Sequence, residues 1–227
     1  MMCKPSPMQT FANVSDLVDT LSEVIVERLS SAVADRGRAS LVVPGGESPK
    51  HLFDGLAGRY APWSKVDIAL TDERWAPQTP TGSNEHHVRA RLLKGRAAEA
   101  RFTSFCQADT LPGARDHAET AIARFARPFD VTVVGMGEDG HVASLFPHRS
   151  VLHPGALVEV VERQGALVAK RRLTLTLQAL QDSRFIALLI TGQEKLNTLR
   201  RAAAGEATPI GALLEAGRGR LEVFCAP

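Results

Sequence analysis

The chain has 227 residues, 44% hydrophobic and 23% charged, with a net charge of +2. Such a length and balance suit a globular protein with a buried core, as one large α/β domain or two small ones, and the near-neutral charge argues against a strongly electrostatic nucleic-acid binder. The longest apolar runs, such as Ile186 to Ile190, are too short to span a membrane, residues 1–10 hold no apolar signal-peptide core, and the three scattered cysteines (Cys3, Cys106, Cys225) form neither a disulfide framework nor a metal motif, so a reducing cytoplasm is the expected compartment.

In chain order, residues 15–34 predict a helix. Leu17, Leu21, Val24, Ile25 and Leu29 recur at helical spacing, Ser15 or Asp16 caps it, and Gly37 ends it. Residues 40–43 predict a short buried strand, broken by Pro44-Gly45-Gly46. A helix then opens at Ser48-Pro49, with Leu52, Phe53 and Leu56 on one face. The next strand, Val66 to Leu70, ends at Thr71-Asp72-Glu73-Arg74. A polar loop over residues 78–83 leads to a helix over 84–93. Pro112-Gly113 precedes a further helix over 114–126, and residues 129–134 form a strand that runs into a glycine-rich loop. Residues 148–165 read as irregular or edge-like, 172–177 as an alternating strand, and 180–183 as a turn or short helix. Strand 185–190, helix 193–204 and strand 221–224 complete the chain. Alternating strands and helices predict a mostly parallel sheet with helices on both faces. No repeat or linker divides residues 1–227, so one domain is expected, with room for an extra lobe around 78–112.

Four motifs carry candidate chemistry. Pro44-Gly45-Gly46-Glu47-Ser48-Pro49 lies between a strand and a helix, where backbone N–H groups and the helix dipole favour an anion; a plain turn is the other reading. It is neither a Walker A loop nor a dinucleotide fingerprint. Asp72-Glu73-Arg74 offers a carboxylate and a permanent cation at a strand end, although three charges in a row more often form a solvated loop. Gly135-Met136-Gly137-Glu138-Asp139-Gly140-His141 ends a buried strand in glycines, acids and a histidine. There His141 is a candidate base with Asp139 beside it, against the alternative of a glycine turn with a bystander histidine. Arg172 opens a strand, and Lys195 sits in a first helical turn, where it opposes the helix dipole; an anionic ligand would explain that placement, as would ordinary exposure.

The remaining candidates have duller readings. His86-His87 lack further metal ligands at suitable spacing, and His51, His117, His148 and His153 have no supporting pattern. Trp63 and Trp75 read as packing residues, because no basic patch accompanies them.

Taken in order, these motifs resemble the 6-phosphogluconolactonase family, which shares its fold with the glucosamine-6-phosphate deaminase/isomerases. The resemblance rests on Val43-Pro44-Gly45-Gly46 with Ser48-Pro49, Asp72-Glu73-Arg74 with Ser83-Asn84, and the glycine–histidine segment continuing through Ala143-Ser144-Leu145-Phe146-Pro147. Arg172-Leu173-Thr174 and Gly192 with Lys195 complete it. It implies a Rossmann-like three-layer α/β/α sandwich that hydrolyses 6-phospho-D-glucono-1,5-lactone to 6-phospho-D-gluconate in the oxidative pentose phosphate pathway. It implies no cofactor and no metal. The expected partner is the small sugar-phosphate lactone, with no nucleic acid or membrane, and the expected state is a monomer, with a dimer also compatible.

By the same resemblance, Gly45, Gly46 and Ser48 match the phosphate-holding loop, and Arg172 and Lys195 match its cationic partners. Arg74 matches the arginine near the lactone carbonyl, and His141 the general base with Asp139 beside it. Asp72 and Asn84 match neighbouring substrate-binding positions. Glu47 departs from the family pattern and is expected to face solvent. Arg171 adjoins Arg172 and stands as an alternative cation. The deaminases resemble Gly-His-Ile-Ala-Phe-Asn-Glu-Pro after the aspartate; here Phe146 stands in place of their glutamate, and Arg74 in place of a common aromatic residue. Both differences favour the lactonase.

Overall fold

The computed structural model describes residues 7–46, 48–76, 82–147, 155–162 and 171–227. Cys3, Glu47, His148, His153, most of the predicted polar loop (78–81) and parts of the segment read as irregular (148–154 and 163–165) lie outside the described residues.

The chain opens with a short strand β1 (Met8–Thr10) and helix α1 (Val14–Arg36). The α1 cap is Asn13 and not Ser15 or Asp16: its side chain accepts the Asp16 N–H at 2.9 Å, and Gly37 ends the helix in the left-handed region at φ 76°. Strand β2 (Ala39–Val43), helix α2 (Lys50–Ala57), strand β3 (Val66–Leu70) and helix α3 (Asn84–Arg91) fall close to the predicted positions. So do strand β6 (Val131–Gly135), strand β9 (Ile186–Thr191), helix α6 (Gln193–Ala203) and strand β10 (Leu221–Ala226).

Other elements differ from expectation. Residues Asp72–Arg74 form a strand, β4, and not a loop. Strand β5 (Arg101–Thr103) has only three residues, too few to show a period. Helix α4 (Leu111–Ala123) starts before Pro112, because Thr110 caps it by accepting the Gly113 N–H. Strand β8 (Arg171–Leu175) and helix α5 (Leu177–Gln181), by contrast, fall close to the predicted strand 172–177 and turn or short helix 180–183, strand β7 (Val158–Glu162) is an edge strand within the segment read as irregular or edge-like, and helix α7 (Pro209–Ala216) adds an element that the periodicity did not reveal.

Seven strands form one sheet in the order β1-β10-β9-β6-β2-β3-β5, with every neighbouring pair parallel. Parallel strands are covered on both faces by helices, which is why all of β2 and β3 is buried. Helices α1 and α2 pack together, α5 and α6 each pack against α7, and one hydrophobic core runs from Leu17 to Ala226. Trp63 is fully buried in that core, and Trp75 packs against it. Val88, Leu92, Ala97 and Phe105, from the segment read as a possible lobe, belong to the same core.

A second, antiparallel sheet runs β4-β8-β7. Thr71 joins the two sheets: its N–H donates to the Val43 carbonyl at 2.8 Å, and its carbonyl accepts from the Leu175 N–H at 2.8 Å. The chain therefore leaves β3 and enters β4 without a loop, and this carries Asp72 and Arg74 over the carboxyl edge of the large sheet.

From β2 the large sheet grows outward through β3 to β5, and from β6 it grows the other way through β9 and β10. The connections after β2 and β6 therefore diverge, and a crevice opens between them. Open α/β sheets place their ligands at such a switch point.

Candidate active site

A cleft of about 250 Å³ occupies this crevice. Gly45, Gly46 and Ser48 reach it from the end of β2, Asp72 and Arg74 from β4, and Asn84 from the start of α3. Gly137 and His141 line it from the end of β6, Arg172 from β8 and Lys195 from α6. Of the predicted site residues, only Asp139 stands behind the lining, in contact with His141. Arg171 is exposed, whereas Arg172 is only 8% exposed, as alternation along a strand requires, so Arg172 is the cation at the cleft.

The loop after β6 holds the histidine. Asp139 Oδ1 lies 2.5 Å from His141 Nδ1 and accepts the His141 backbone N–H at 3.2 Å. Partial burial alone would raise the Asp139 carboxyl, but the His141 charge and these hydrogen bonds outweigh it and hold the group below the usual carboxylate range. An imidazole that uses Nδ1 toward a carboxylate has Nε2 left to exchange a proton.

Gly137 makes this geometry possible by its lack of bulk. A Cβ there would fall 2.1 Å from His141 Cε1 and Nδ1. Helices α6 and α7 brace the loop from outside: Thr198 Oγ1 donates to the Glu138 carbonyl at 2.7 Å, and the Ile210 N–H to the Gly140 carbonyl at 3.1 Å. Ala143, at φ 52°, holds a left-handed conformation unusual for alanine where it lines the cleft.

Ser144 is a contact of the candidate site residues that the sequence did not single out. Its Oγ donates to Asp72 Oδ2 at 2.6 Å and accepts from Arg172 Nη1 at 3.4 Å, and its N–H donates to Thr174 Oγ1 at 3.1 Å. Arg172 also lies 3.9 Å from Asp72 Oδ2 and 5.8 Å from the Phe146 ring centroid. Phe146 is tilted against His141, with centroids 5.0 Å apart. The position that separates the two chemistries in sequence thus packs directly on the candidate base.

Asp72 and Glu73 are buried, contrary to the solvated-loop alternative. Glu73 Oε1 accepts the N–H groups of Arg74 (2.7 Å) and Asn84 (2.8 Å), and Oε2 accepts Ser83 Oγ (2.9 Å) and the Glu85 N–H (2.7 Å). Burial pushes the Glu73 pKa up, against the opposing pull of these donors. Asn84 Nδ2 donates to the Asp72 carbonyl at 2.8 Å, which fixes the amide orientation. Its side chain lies over Gly45, where a Cβ would fall 1.9 Å from Asn84 Cγ. Gly45 is therefore needed for close approach, while Gly46 adopts a positive φ of 92°.

Ser48 Oγ lies 3.4 Å from both Thr191 Oγ1 and Lys195 Nζ. Among the described residues the Arg74 guanidinium has no hydrogen-bonded or ion-paired partner. Cys106 offers no nucleophile, because burial and the nearby Glu73 and Glu85 charges push its thiol up to about 12. Among the described residues no three His, Cys, Asp or Glu side chains converge as metal donors, and no helix is long and apolar enough to cross a membrane.

Comparison with known proteins places this cleft in context. Residues 12–222 match the family described as glucosamine-6-phosphate isomerases/6-phosphogluconolactonase. The chain is 39% identical to a 6-phosphogluconolactonase of Rhizobium meliloti (strain 1021), over 97% of this chain and 98% of that protein. It is 40% identical to one of Pseudomonas putida, over 86% and 82%. A 6-phosphogluconolactonase crystal structure from Shewanella baltica OS155 superimposes with a TM-score of 0.91 at 37% identity, covering 100% of both chains. A monomeric glucosamine-6-phosphate deaminase shares the fold, with a TM-score of 0.78 at 16% identity. The chain thus belongs to the glucosamine-6-phosphate isomerase/6-phosphogluconolactonase family.

Proposed function

We propose that the protein is a cytoplasmic 6-phosphogluconolactonase, which hydrolyses 6-phospho-D-glucono-1,5-lactone to 6-phospho-D-gluconate in the oxidative pentose phosphate pathway. The observation that carries this reading is one cleft lined by His141, backed by Asp139, by Arg74, whose guanidinium has no partner among the described residues, and by the Ser48–Lys195 pair. Similarity to named lactonases along nearly the whole chain supports the substrate.

The phosphate is held by Lys195 and Ser48, by backbone N–H groups of the Gly45–Gly46 turn at the N-terminus of α2, and by Arg172 as a second cation. Asp72 and Asn84 face the sugar. This anchoring sets the lactone carbonyl toward His141, so binding energy at one end orients the reacting end. His141 Nε2 takes a proton from a water molecule as its oxygen attacks the carbonyl carbon. Arg74 stabilises the negative charge that develops on the carbonyl oxygen. Asp139 holds the ring orientation and favours the imidazolium. When the bond from the carbonyl carbon to the ring oxygen breaks, the imidazolium returns its proton to that oxygen, and the new carboxylic acid ionises into solvent. One water is consumed, and every group of the protein ends as it began.

Phe146 supports hydrolysis over amino-sugar isomerisation. Moving protons between carbons needs further acid/base groups, and the side chain packed on His141 has no proton to give. The test is a substrate comparison: freshly made 6-phosphogluconolactone and glucosamine 6-phosphate are supplied in parallel. Enzyme-dependent 6-phosphogluconate above the spontaneous background is expected from the first and nothing from the second. Release of fructose 6-phosphate from glucosamine 6-phosphate would reverse the assignment.

A further inference from the structure

We infer that Glu73 is a positioning residue for the reaction: its buried carboxylate ties the strand that carries Arg74 to the start of the helix that carries Asn84, and so sets where both side chains meet the substrate. The inference rests on the proposed hydrolysis and on the role given there to Arg74.

Glu73 itself cannot touch substrate. It is 0% exposed and is not among the residues lining the cleft. Alternation along β4 sends Asp72 and Arg74 toward the cleft and Glu73 away from it. Its two oxygens accept four hydrogen bonds, two each, at 2.7–2.9 Å. One donor is the Arg74 N–H of its own strand, and the other three come from Ser83, Asn84 and Glu85.

Only a carboxylate fits this arrangement. A glutamine would turn an –NH₂ donor toward two of the four donors, and the strand and the helix start would separate. Asn84 would lose its hold on the Asp72 carbonyl and its place over Gly45, and the Arg74 backbone would be released next to a guanidinium that has no partner among the described residues.

The test is a double-mutant cycle on turnover of 6-phosphogluconolactone by the full chain, with E73Q, R74A and the pair. If Glu73 acts through Arg74, E73Q lowers kcat by up to about 10²-fold, the scale of a misplaced catalytic group. Binding of 6-phosphogluconate should fall by less than kcat, because Lys195 still anchors the phosphate while Asn84 shifts over Gly45. The double variant should be slower than R74A by clearly less than the factor by which E73Q slows the wild type, the remainder being the part transmitted through Asn84, because coupled residues are non-additive. E73D keeps both oxygens and should recover part of kcat. Wild-type kcat in folded E73Q, or losses that multiply in the double variant, would overturn the inference. Should E73Q not fold, the same cycle is read with E73D: losses that fail to multiply support coupling, and multiplying losses refute it. A fast R74A removes the premise as well as the inference, whereas a slow R74A with a fast E73Q removes the inference alone.

Discussion

Two groups of residues that line the cleft, those on the His141 loop and β4 and those around Ser48, hold their polar groups in different ways. On the His141 loop and on β4 they are already satisfied by the protein: His141 by Asp139 at 2.5 Å, Asp72 by Ser144 at 2.6 Å and, behind the lining, Glu73 by four donors at 2.7–2.9 Å. Around Ser48 the contacts are longer, 3.4 Å to both Thr191 and Lys195. A group that moves protons must be oriented before substrate arrives, because reorganisation during the reaction costs rate. A group that binds a doubly charged anion gains its strongest hydrogen bonds from that anion and needs little prior support. Arg74 lines the cleft with its backbone clamped and, among the described residues, its guanidinium open, as expected for a side chain whose proposed partner is a transient oxyanion.

The comparison predicts a division of mutational effects. The largest falls on His141: H141A should lower kcat by about 10²–10⁴-fold, the usual contribution of a positioned base. Binding of 6-phosphogluconate, followed by calorimetry, should stay intact, and joint loss of binding and turnover would merge the two groups into one. R74A should remove about 2.7–4 kcal/mol of transition-state stabilisation, seen mainly in kcat. G137A adds a Cβ that collides with the His141 ring, and a shift of the ring by about 1 Å should cost about 10²-fold in kcat.

K195A belongs to the Ser48 group. It should weaken 6-phosphogluconate by about 1.5–3 kcal/mol, the scale of a charge-assisted hydrogen bond, with the larger change in KM. A drop confined to kcat would contradict the anchoring role. The smallest effect concerns acid stability. The folded-state pKa of Asp139 lies below its ordinary value, so its stabilising contribution is present above that value and is lost as pH falls through the folded one. Below about pH 4 the wild type should therefore lose Tm more steeply than D139N, an effect softened by salt because the side chain is half exposed.

The fold was legible where elements are long enough to show a period. Helix α1 and strands β2, β3, β6 and β9 follow directly from apolar spacing. Short elements escaped, and β4 most instructively. Three charged residues suggested a solvated loop, but Asp72 and Glu73 are buried because Ser144, Arg172, Ser83, Asn84 and Glu85 supply their partners. Those partners lie 10 to 100 positions away, beyond the reach of local pattern. Helix α7 did leave a signal, Thr208 as cap with Pro209 in the first turn, and that signal went unread. The glycine–histidine loop was legible as a site, but the steric need for Gly45 and Gly137 emerged only from the side chains packed against them.

The most direct test of the central claim compares wild type and H141A on freshly prepared 6-phosphogluconolactone, with spontaneous hydrolysis subtracted. The account predicts clear enzyme-dependent formation of 6-phosphogluconate by the wild type and a rate about 10²–10⁴-fold lower for H141A, with 6-phosphogluconate still bound. A wild-type rate no faster than the background, or equal rates for the two proteins, would contradict it.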